Sequence, residues 1–332
     1  MTTSVTLNAS AAGYRVYGHL LSCTEALPEL EPVSAHEAVA RPDIEVRWVD
    51  GPDRFGLPSS WFLTIPSTDN TPWLLCGKCS DGYVLRFPDL ADFCVDRSGQ
   101  RILCAPTATT PRSTVRHLLL DQVLPLVLNQ RGYEALHATA VVTAHGACAF
   151  VGPTGSGKST LAASFARIGA PVLSDDCLLL EEQPSGIVAF PGYPGVRLWN
   201  DTVEALFSGQ NRGVSVAHYT TKQRMAFDAE SGQFSSAPTP LSRIYILLPD
   251  SPSRLCDDSF PSLITPLAPR DVLMALIGSA FRLDITDRHM MVRQLQFFAR
   301  VHARIPVRGL TLPDSYAALP AVRAAIVQDL RS

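Results

Sequence analysis

Positive charge and long apolar stretches are both scarce in this chain. The 332 residues carry 28 Lys and Arg against 31 Asp and Glu, a formal net charge of −3, and only Lys78, Lys158 and Lys222 are lysines. A protein whose main task is to neutralise nucleic-acid phosphates or anionic lipid would be more basic. Uninterrupted apolar windows of about 18 residues are missing, which excludes a membrane-spanning helix. We therefore expect neither nucleic acid nor a membrane as a partner.

The features of secreted proteins are also missing. Residues 1–10 contain neither a basic segment nor the apolar segment of a secretory signal. The eight cysteines are scattered through apolar stretches, unlike those of a small disulfide-rich domain. We expect a cytoplasmic protein with reduced, mostly buried thiols. Cys76 and Cys79 form a C-x-x-C pair, but without a second pair or a nearby histidine we interpret them as ordinary thiols.

What the sequence does contain indicates two domains joined by a helix. Hydrophobic residues make up 46% of the chain, and its length suits about two domains. Residues 1–110 consist of short β-type segments and turns, including a hairpin expected around Gly99. Residues 111–132 are predicted to be a linker and a bridging amphipathic helix. Apolar residues recur there every third or fourth position from Val115 to Val127, and Gly132 is expected to end the helix.

Residues 133–332 show the alternation of strands and helices that is typical of α/β folds. Strands are expected at residues 136–143, 147–151, 171–174, 177–182, 187–190 and 243–248. Helices are expected at residues 157–168, 199–208, 269–281, 287–303 and 320–330. Pro269 and Pro320 suit the first turn of a helix, and Asp287 suits an N-cap.

Residues 152–160 carry the most specific motif of the sequence. They match G-x-x-x-x-G-K-[ST], and they lie between an apolar strand and a helix as that motif requires. In such a loop, backbone N–H groups and the helix N-terminus converge on phosphate oxygens. Lys158 is expected to contact the β- and γ-phosphates, and the Ser159 hydroxyl to bind Mg²⁺. The predicted phosphate-binding residues are Gly152, Thr154, Gly155, Ser156, Gly157, Lys158, Ser159 and Thr160.

Two carboxylates, Asp175 and Asp176, end the next predicted strand. We expect this strand to lie parallel to and directly beside the strand that leads into the phosphate-binding loop, so that both acids face the bound phosphates. One carboxylate could hold Mg²⁺ and the other could accept a proton from an attacking hydroxyl. Neither assignment follows from the sequence, and two acids in a solvated turn remain the alternative.

Three basic residues are candidates for contacts with an acceptor substrate. Arg197 lies in a Gly/Pro-rich turn, and its guanidinium could bind phosphate or carboxylate. Lys222 and Arg224 lie in a segment whose alternating basic residues could face a nucleotide or an acidic peptide. For each of the three, a solvated surface position is the competing interpretation.

The motifs together resemble the HPr kinase/phosphorylase superfamily. The matching segments are His137-Ala138-Thr139, residues 152–160, Ser174-Asp175-Asp176 and residues 193–199. Tyr14-Arg15-Val16-Tyr17-Gly18 and Leu27-Pro28-Glu29-Leu30 make the chain look most similar to the branch of lasso-peptide precursor kinases.

This resemblance implies a P-loop kinase domain of the HPr-kinase type, preceded by the small β-rich N-terminal domain. It implies that ATP, with Mg²⁺, phosphorylates a serine hydroxyl, and for the lasso-peptide branch the acceptor is the C-terminal serine of a ribosomal precursor peptide. Asp175 and Asp176 would supply the general base and a metal ligand, and His137 would orient the pair. The N-terminal domain would be a candidate for acceptor recognition, and the superfamily implies a homo-oligomer.

Two departures from the superfamily leave other functions open. The chain has Ser-Thr after Lys158, where the bifunctional HPr enzymes usually have Ser-Glu, and the glycine-rich signature of those enzymes is not found. Phosphorylase activity and HPr as the acceptor are therefore less favoured than a peptide acceptor. A kinase of HPr or of a small metabolite is one alternative. A module that binds a peptide and is switched by nucleotide without phosphoryl transfer is another.

Overall fold

The computed structural model describes residues 11–34, 41–51, 55–67, 69–207, 213–227, 231–249 and 263–331. The chain divides into two compact units, Met1–Arg116 and His117–Ser332. The helical segment after Arg116 therefore belongs to the second unit. The fold is mixed α/β, and its sheets contain both parallel and antiparallel strands.

One eight-stranded sheet forms the first unit. Its strands are β1 (Ala12–Val16), β2 (His19–Cys23), β3 (Ile44–Trp48), β4 (Trp61–Pro66), β5 (Pro72–Cys79), β6 (Gly82–Phe87), β7 (Ala91–Asp96) and β8 (Arg101–Pro106). They lie in the order β1-β2-β3-β8-β7-β6-β5-β4. Strand β3 is parallel to both of its neighbours, and the other pairs are antiparallel. The hairpin expected around Gly99 is confirmed, since it joins β7 to β8 with φ 66° at that glycine.

The expected bridging helix is interrupted by a π-helical turn. It consists of α1 (Arg112–Leu118), a π turn (Leu119–Val123) and α2 (Leu124–Gln130), and Gly132 follows its end with φ 101°. The predicted amphipathic pattern is wrong for the second half. Nearly every side chain from residue 118 to residue 129 is buried, so this part is a core helix and not a surface helix.

Twelve strands and five helices follow among the described residues of the second unit. The strands are β9 (Glu134–Leu136), β10 (Ala138–Thr143), β11 (Gly146–Val151), β12 (Val172–Ser174), β13 (Leu178–Gln183), β14 (Gly186–Ala189), β15 (Val196–Leu198), β16 (Val214–Ser215), β17 (Gln223–Met225), β18 (Thr239–Leu248), β19 (Ile264–Pro266) and β20 (Val307–Thr311). The helices are α3 (Lys158–Ala166), α4 (Asn200–Phe207), α5 (Pro269–Gly278), α6 (Arg288–Arg304) and α7 (Leu319–Asp329).

The main sheet of this unit has the strand order β12-β10-β11-β18-β14-β13-β9, with β20 on β18 and β19 on β20. Our expectation that β12 lies directly beside β11 is wrong, because β10 lies between them and is antiparallel to both. Strands β11 and β12 nevertheless run in the same direction, so their carboxyl ends reach the same edge. A separate small sheet, in the order β15-β17-β16, was not predicted.

Alternate residues of the main sheet pack into two cores. Cys148 and Phe150 of β11 face a core with Leu161 of α3 and Val322 of α7. Their neighbours Ala147, Ala149 and Val151 face the other side, where α5 and α6 contribute side chains such as Val272 and Phe298. Because side chains alternate along β11, helices pack on both faces of the sheet. Where β11 ends, at residue 151, the edge of the sheet is followed by a loop.

Most predicted elements of the second unit are present, with two corrections in addition to those given above. The strand expected at 136–143 is broken at His137, whose backbone N–H leaves the strand pairing and donates to Ser279 O at 2.6 Å. Strands β19 and β20 were missed. The predicted N-cap is confirmed, since Asp287 Oδ1 accepts from His289 N at 2.8 Å. Residue 208, the expected last residue of a helix, lies outside the described residues. In the described ranges, no helix has the length and apolar character that a membrane crossing needs.

Candidate functional site

The loop between β11 and α3 contains the predicted phosphate-binding residues, and we call it the phosphate-binding loop after that prediction. Gly155 and Gly157 have φ angles of 83° and 91°, which side chains other than glycine rarely adopt. Helix α3 begins directly after Gly157 without a side-chain cap, so its first N–H groups have no intrahelical acceptor. The Ser156 hydroxyl is buried and lacks a hydrogen-bond partner in the described structure. An anion bound by the loop would satisfy these donors.

Lys158 lies at the centre of the site. Its side chain is 5% exposed, and Nζ donates to Gly152 O at 2.8 Å and to Pro153 O at 3.0 Å. His137 Nε2 lies 3.2 Å from the same Nζ. Burial lowers the pKa of Lys158, while the nearby carboxylates of Asp175 and Asp176 act against that shift. The ammonium group is thus held over the loop where negative charge on a ligand would be stabilised.

Asp175 links the phosphate-binding loop to strand β12. Its Oδ1 accepts hydrogen bonds from Thr139 Oγ1 at 2.7 Å and from Ser159 Oγ at 2.8 Å. Its Oδ2 accepts from the backbone N–H of Arg197 at 2.8 Å. Burial raises the pKa of Asp175, and the neighbouring charge of Asp176 raises it further. Asp175 is therefore engaged on all sides by polar groups of the chain.

Asp176 points a different way from Asp175. Its φ of 62° lies in the left-handed region, which is uncommon for a residue other than glycine. Its side chain is 17% exposed and lines the cavity that Lys158 also lines. Burial opposes ionisation of Asp176, but the charges of Arg197 and Lys222 hold its pKa below the usual value. At neutral pH the carboxylate that faces the cavity is charged.

His137 occupies the break between β9 and β10, which orients its ring. Nδ1 lies 3.0 Å from the backbone O of Asp176, and the ring packs edge-on against Phe281. Burial lowers the pKa of His137. A neutral ring that donates from Nδ1 to Asp176 O and accepts at Nε2 from Lys158 satisfies both contacts. His137 thereby supports the turn that carries Asp176.

Arg197 is buried among carboxylates. Its side chain is 4% exposed, and Nη1 lies 3.6 Å from Asp175 Oδ2 and 3.4 Å from Asp176 Oδ2. Nη2 donates to Asp121 Oδ1 at 2.5 Å. The guanidinium also lies over the ring of Tyr193, 4.9 Å from its centroid. Arg197 therefore neutralises the acidic pair as well as lining the cavity.

The other two basic candidates, on the small sheet and the loop before it, differ in their positions. Lys222 lines the same cavity as Asp176, and its Nζ lies 5.2 Å from the ring centroid of Trp199. Arg224 of β17 is half-buried, and its Nη1 donates to Pro194 O at 3.3 Å. Arg224 is not among the residues that line the cavity. The structure thus brings together the predicted loop, the acidic pair, His137, Arg197 and Lys222, and places Arg224 to one side.

Two open cavities lined by described residues adjoin the phosphate-binding loop. The smaller is lined by residues that include Lys158, Asp176, Arg197 and Lys222. The lining of the larger includes Thr154, Thr160 and Trp199 and extends to Leu312 and Tyr316. Thr154, Gly155, Gly157, Thr160 and Trp199 line both. A ligand with a polyphosphate and a larger organic group would span the two across the loop.

Sequence reasoning missed Asp121 and did not assign roles to Thr139 and Tyr193. Thr139 and Tyr193 lie within segments that carried the resemblance, but nothing in the sequence shows that they contact Asp175 and Asp121. A signal for Asp121 exists, since it is the acidic residue in the run Leu118-Leu119-Leu120-Asp121-Gln122-Val123-Leu124. An acid within such an apolar run is either misplaced or paired with a buried cation.

The described parts of the chain contain neither a disulfide nor a separate cluster of metal-binding residues. The cysteines there are free thiols, and burial raises the pKa of Cys23 to about 11. Clusters of three or more His, Cys, Asp or Glu residues with metal-binding geometry are absent from the same ranges. Cys256 lies outside the described residues.

No known protein family and no curated protein matches this chain. Among solved structures, its fold is similar to that of the Hpr(Ser) kinase/phosphatase from Coxiella burnetii. The two sequences are 12% identical, the alignment covers 59% of this chain and 90% of the other, and the TM-score is 0.32. A likeness this distant carries no argument about function, which therefore depends on the geometry of the site itself.

Proposed function

We propose that this protein is an ATP- and Mg²⁺-dependent kinase that phosphorylates a serine hydroxyl. The observation that carries the proposal is the hydrogen bond between Ser159 Oγ of the phosphate-binding loop and Asp175 Oδ1, at 2.8 Å. Beside it, Asp176 and Lys158 line one cavity. A loop for binding phosphate alone needs no carboxylates at this position, whereas phosphoryl transfer needs a metal ligand and a proton acceptor there.

The residues present fit a magnesium ion. Mg²⁺ prefers oxygen ligands and is commonly held by one or two carboxylates together with substrate phosphates and water. Ser159 Oγ and Asp175 Oδ1 supply such oxygens, and Asp176 follows Asp175 in sequence. Bound there, Mg²⁺ would neutralise charge on the β- and γ-phosphates. We assign Ser159 and Asp175 as its primary protein ligands because Ser159 Oγ and Asp175 Oδ1 lie 2.8 Å apart at the start of α3.

We assign Asp176 as the general base because its carboxylate faces the cavity. The acceptor hydroxyl gives its proton to Asp176, the hydroxyl oxygen bonds to the γ-phosphorus, and the bond from that phosphorus to the bridging oxygen of ADP breaks. Lys158 stabilises the negative charge on the transferring group, and Arg197 holds the acidic pair in place. His137 holds the turn at Asp176 through its contact with the backbone O.

The larger cavity would take the nucleoside of ATP. Neither acidic residue lines it, and Trp199, Leu312 and Tyr316 give it an apolar and aromatic lining. Aromatic rings at the mouth of a cavity suit the flat face of a purine base. The triphosphate would then cross the loop toward Lys158, and the γ-phosphate would reach the smaller cavity.

For the acceptor we propose the C-terminal serine of a lasso-type ribosomal precursor peptide. A C-terminal serine brings a carboxylate next to its hydroxyl, and Lys222 at the edge of the smaller cavity offers a matching cation. Arg197 is occupied by three carboxylates and Arg224 lies outside the cavity, so Lys222 is the basic residue best placed for this contact.

The test is mass spectrometry of candidate acceptors after incubation with the protein, Mg²⁺ and ATP. We expect one added phosphate on a precursor peptide that ends in serine. Less is expected on the same peptide with an amidated C-terminus, and none on the peptide ending in alanine. Lys158→Ala and Asp176→Asn should each abolish the product. Lys78→Ala, a change to a lysine in the first unit, should leave ATP affinity unchanged and serves as the matched control.

Other outcomes would redirect the assignment. Phosphorylation of HPr and not of the peptide would keep the kinase and replace its acceptor. Binding of ATP with release of phosphate, but without any phosphorylated acceptor, would favour a nucleotide-switched binding module. Full activity of Asp176→Asn on a correct acceptor would contradict the assigned base.

A further inference from the structure

The π turn places a charged side chain inside the core. Asp121 lies in the turn Leu119–Val123 and is 3% exposed, and the other buried residues of the turn are apolar. A π turn adds a residue to one turn of a helix and is rare, and such turns within helices are often found at functional sites. A buried carboxylate also costs stability unless it is paired. The position of Asp121 therefore calls for a functional explanation.

Asp121 is fully surrounded by donors. Arg197 Nη2 and Tyr193 OH each lie 2.5 Å from Oδ1. His117 Nδ1 lies 2.5 Å from Oδ2. Burial opposes ionisation, but the charges of Arg197 and His117 hold the pKa of Asp121 below its usual value. Asp121 is thus a carboxylate at neutral pH, and one of its oxygens anchors the guanidinium of Arg197.

The opposite side of the same guanidinium faces the acidic pair. Arg197 Nη1 lies 3.6 Å from Asp175 Oδ2 and 3.4 Å from Asp176 Oδ2, distances longer than the 2.5 Å contact of Nη2 with Asp121. Tyr193 both stacks on Arg197 and donates to Asp121. The short contact sets the position of the guanidinium, and the longer contacts follow from it.

We propose that Asp121 is a positioning residue for phosphoryl transfer, which holds Arg197 against Asp175 and Asp176 and so keeps the proposed base in place. Asp121 lines neither cavity, and Arg197 is the contact that joins it to the acidic pair; its charge also acts on Asp176 at longer range, where it raises the pKa. This proposal rests on the proposed kinase function. It predicts that loss of the Asp121 charge slows the chemical step and leaves nucleotide binding intact.

The decisive variant is Asp121→Asn, which keeps the side-chain shape and removes the charge. Turnover is measured as phosphate release from Mg·ATP in water and as transfer to a serine-terminated peptide. We expect kcat to fall by about 10- to 100-fold, as for other residues that orient a catalytic group. The KM for ATP should change less than about twofold, because no contact of the loop is altered.

A second carboxylate in the same unit gives a matched control. Asp329 also receives an arginine and a tyrosine hydroxyl, since Arg243 Nη1 lies 3.1 Å and Tyr245 OH 2.7 Å from Oδ2. It is the last residue of α7 and lines neither cavity. Asp329→Asn should therefore leave kcat and KM unchanged. An equal loss of kcat in both variants would overturn the proposal, because it would indicate a general loss of stability.

A double variant tests whether Asp121 acts through Arg197. In the background of Arg197→Lys, the further change Asp121→Asn should reduce kcat less than twofold, whereas independent effects would multiply. If Asp121→Asn does not fold, Tyr193→Phe replaces it, since it removes one donor to Asp121 and should lower kcat several-fold. An unchanged kcat in every folded variant would contradict the positioning role.

A crystal structure of Asp121→Asn separates this proposal from the kinase proposal. We expect Nη1 of Arg197 to lie more than about 4 Å from both Asp175 and Asp176, and Lys158 to keep its contact with Gly152 O. If Arg197 has not moved, Asp121 does not position it, whatever the activity. If the wild-type protein neither hydrolyses ATP nor transfers phosphate, the kinase proposal fails, and the position of Arg197 still decides whether Asp121 holds it.

Discussion

Replacing Arg197 with methionine tests the electrostatics of the site without any assumption about its substrate. Methionine has a similar length, so the main change is the loss of a buried cation from three carboxylates. Removing one partner of a buried ion pair typically costs about 3–5 kcal/mol, because the remaining charge is left uncompensated. The whole of that range does not apply here, since each of the three carboxylates keeps other partners.

The contacts that the carboxylates keep place the expected loss of stability near the lower end of the range of about 3–5 kcal/mol. Asp121 keeps Tyr193 OH and His117, and Asp175 keeps the hydroxyls of Thr139 and Ser159. Asp176 is open to the cavity and retains some hydration. We therefore expect the free energy of unfolding to fall by about 3 kcal/mol. For a unit of this size, that corresponds to a melting temperature lower by about 6–12 °C.

Differential scanning calorimetry of the wild-type protein and of Arg197→Met measures this shift in melting temperature. Arg300→Met is the control, because Arg300 pairs with Glu182 on the surface, with its side chain 48% exposed, and exposed pairs contribute little. A shift for Arg197→Met no larger than that of the control would refute the account of Arg197 as the counter-charge of the site.

The same comparison has a defined pH dependence. The pKa of Asp121 in the folded protein lies below its ordinary value of 3.8. Its contribution to stability is therefore present above pH 3.8 and is lost as the pH falls through the lower folded-state pKa. Arg197→Met removes part of that contribution, so the difference in melting temperature between the two proteins should narrow below pH 3.8. If the difference in melting temperature stays constant as the pH falls below 3.8, the ion pair between Arg197 and Asp121 is not the cause of that difference.

Two further predictions concern the phosphate-binding loop. Gly157→Ala should weaken ATP binding by about tenfold, because φ is 91° and the new Cβ would lie 2.5 Å from Leu312 Cδ2. Calorimetric titration with ATP measures this change. Gly169→Ala, in an open turn with φ 85°, is the control for backbone strain alone. Removing Mg²⁺ with EDTA should abolish phosphoryl transfer reversibly, and Ser159→Ala should raise the Mg²⁺ concentration for half-maximal rate by about 10- to 100-fold. If Ser159→Ala needs the same Mg²⁺ concentration as the wild-type protein, Ser159 is not a ligand of the metal.

The parts of the structure that the sequence predicts well are those that depend on local patterns. The loop at 152–160, helix α3 and the N-cap at Asp287 each follow from residues within a few positions of one another. The hairpin at Gly99 does as well. In these segments the conformational preference of the residues and the final structure agree, so no distant contact was needed to predict them.

The errors arise where distant segments decide the outcome. Strand β12 lies beside β10 through pairs of residues more than 30 positions apart, such as Ala140 with Ser174, and such pairing has no local signature. His137 leaves the sheet because its N–H meets Ser279 O, more than 100 residues later. The small sheet β15-β17-β16 was missed because its strands have only two or three residues each.

The sequence by itself determined which chemistry we propose for this protein. A glycine-rich loop with Lys158 and Ser159, and an acidic pair shortly after it, predict phosphate and metal binding through residue types and spacing alone. Only the tertiary structure decided how the charges are arranged. Arg197 and Asp121 are 76 residues apart and become partners because the π turn and β15 meet in the core. Burial makes an unpaired charge costly, so the fold, and not the local sequence, sets which carboxylate is anchored and which one faces the cavity.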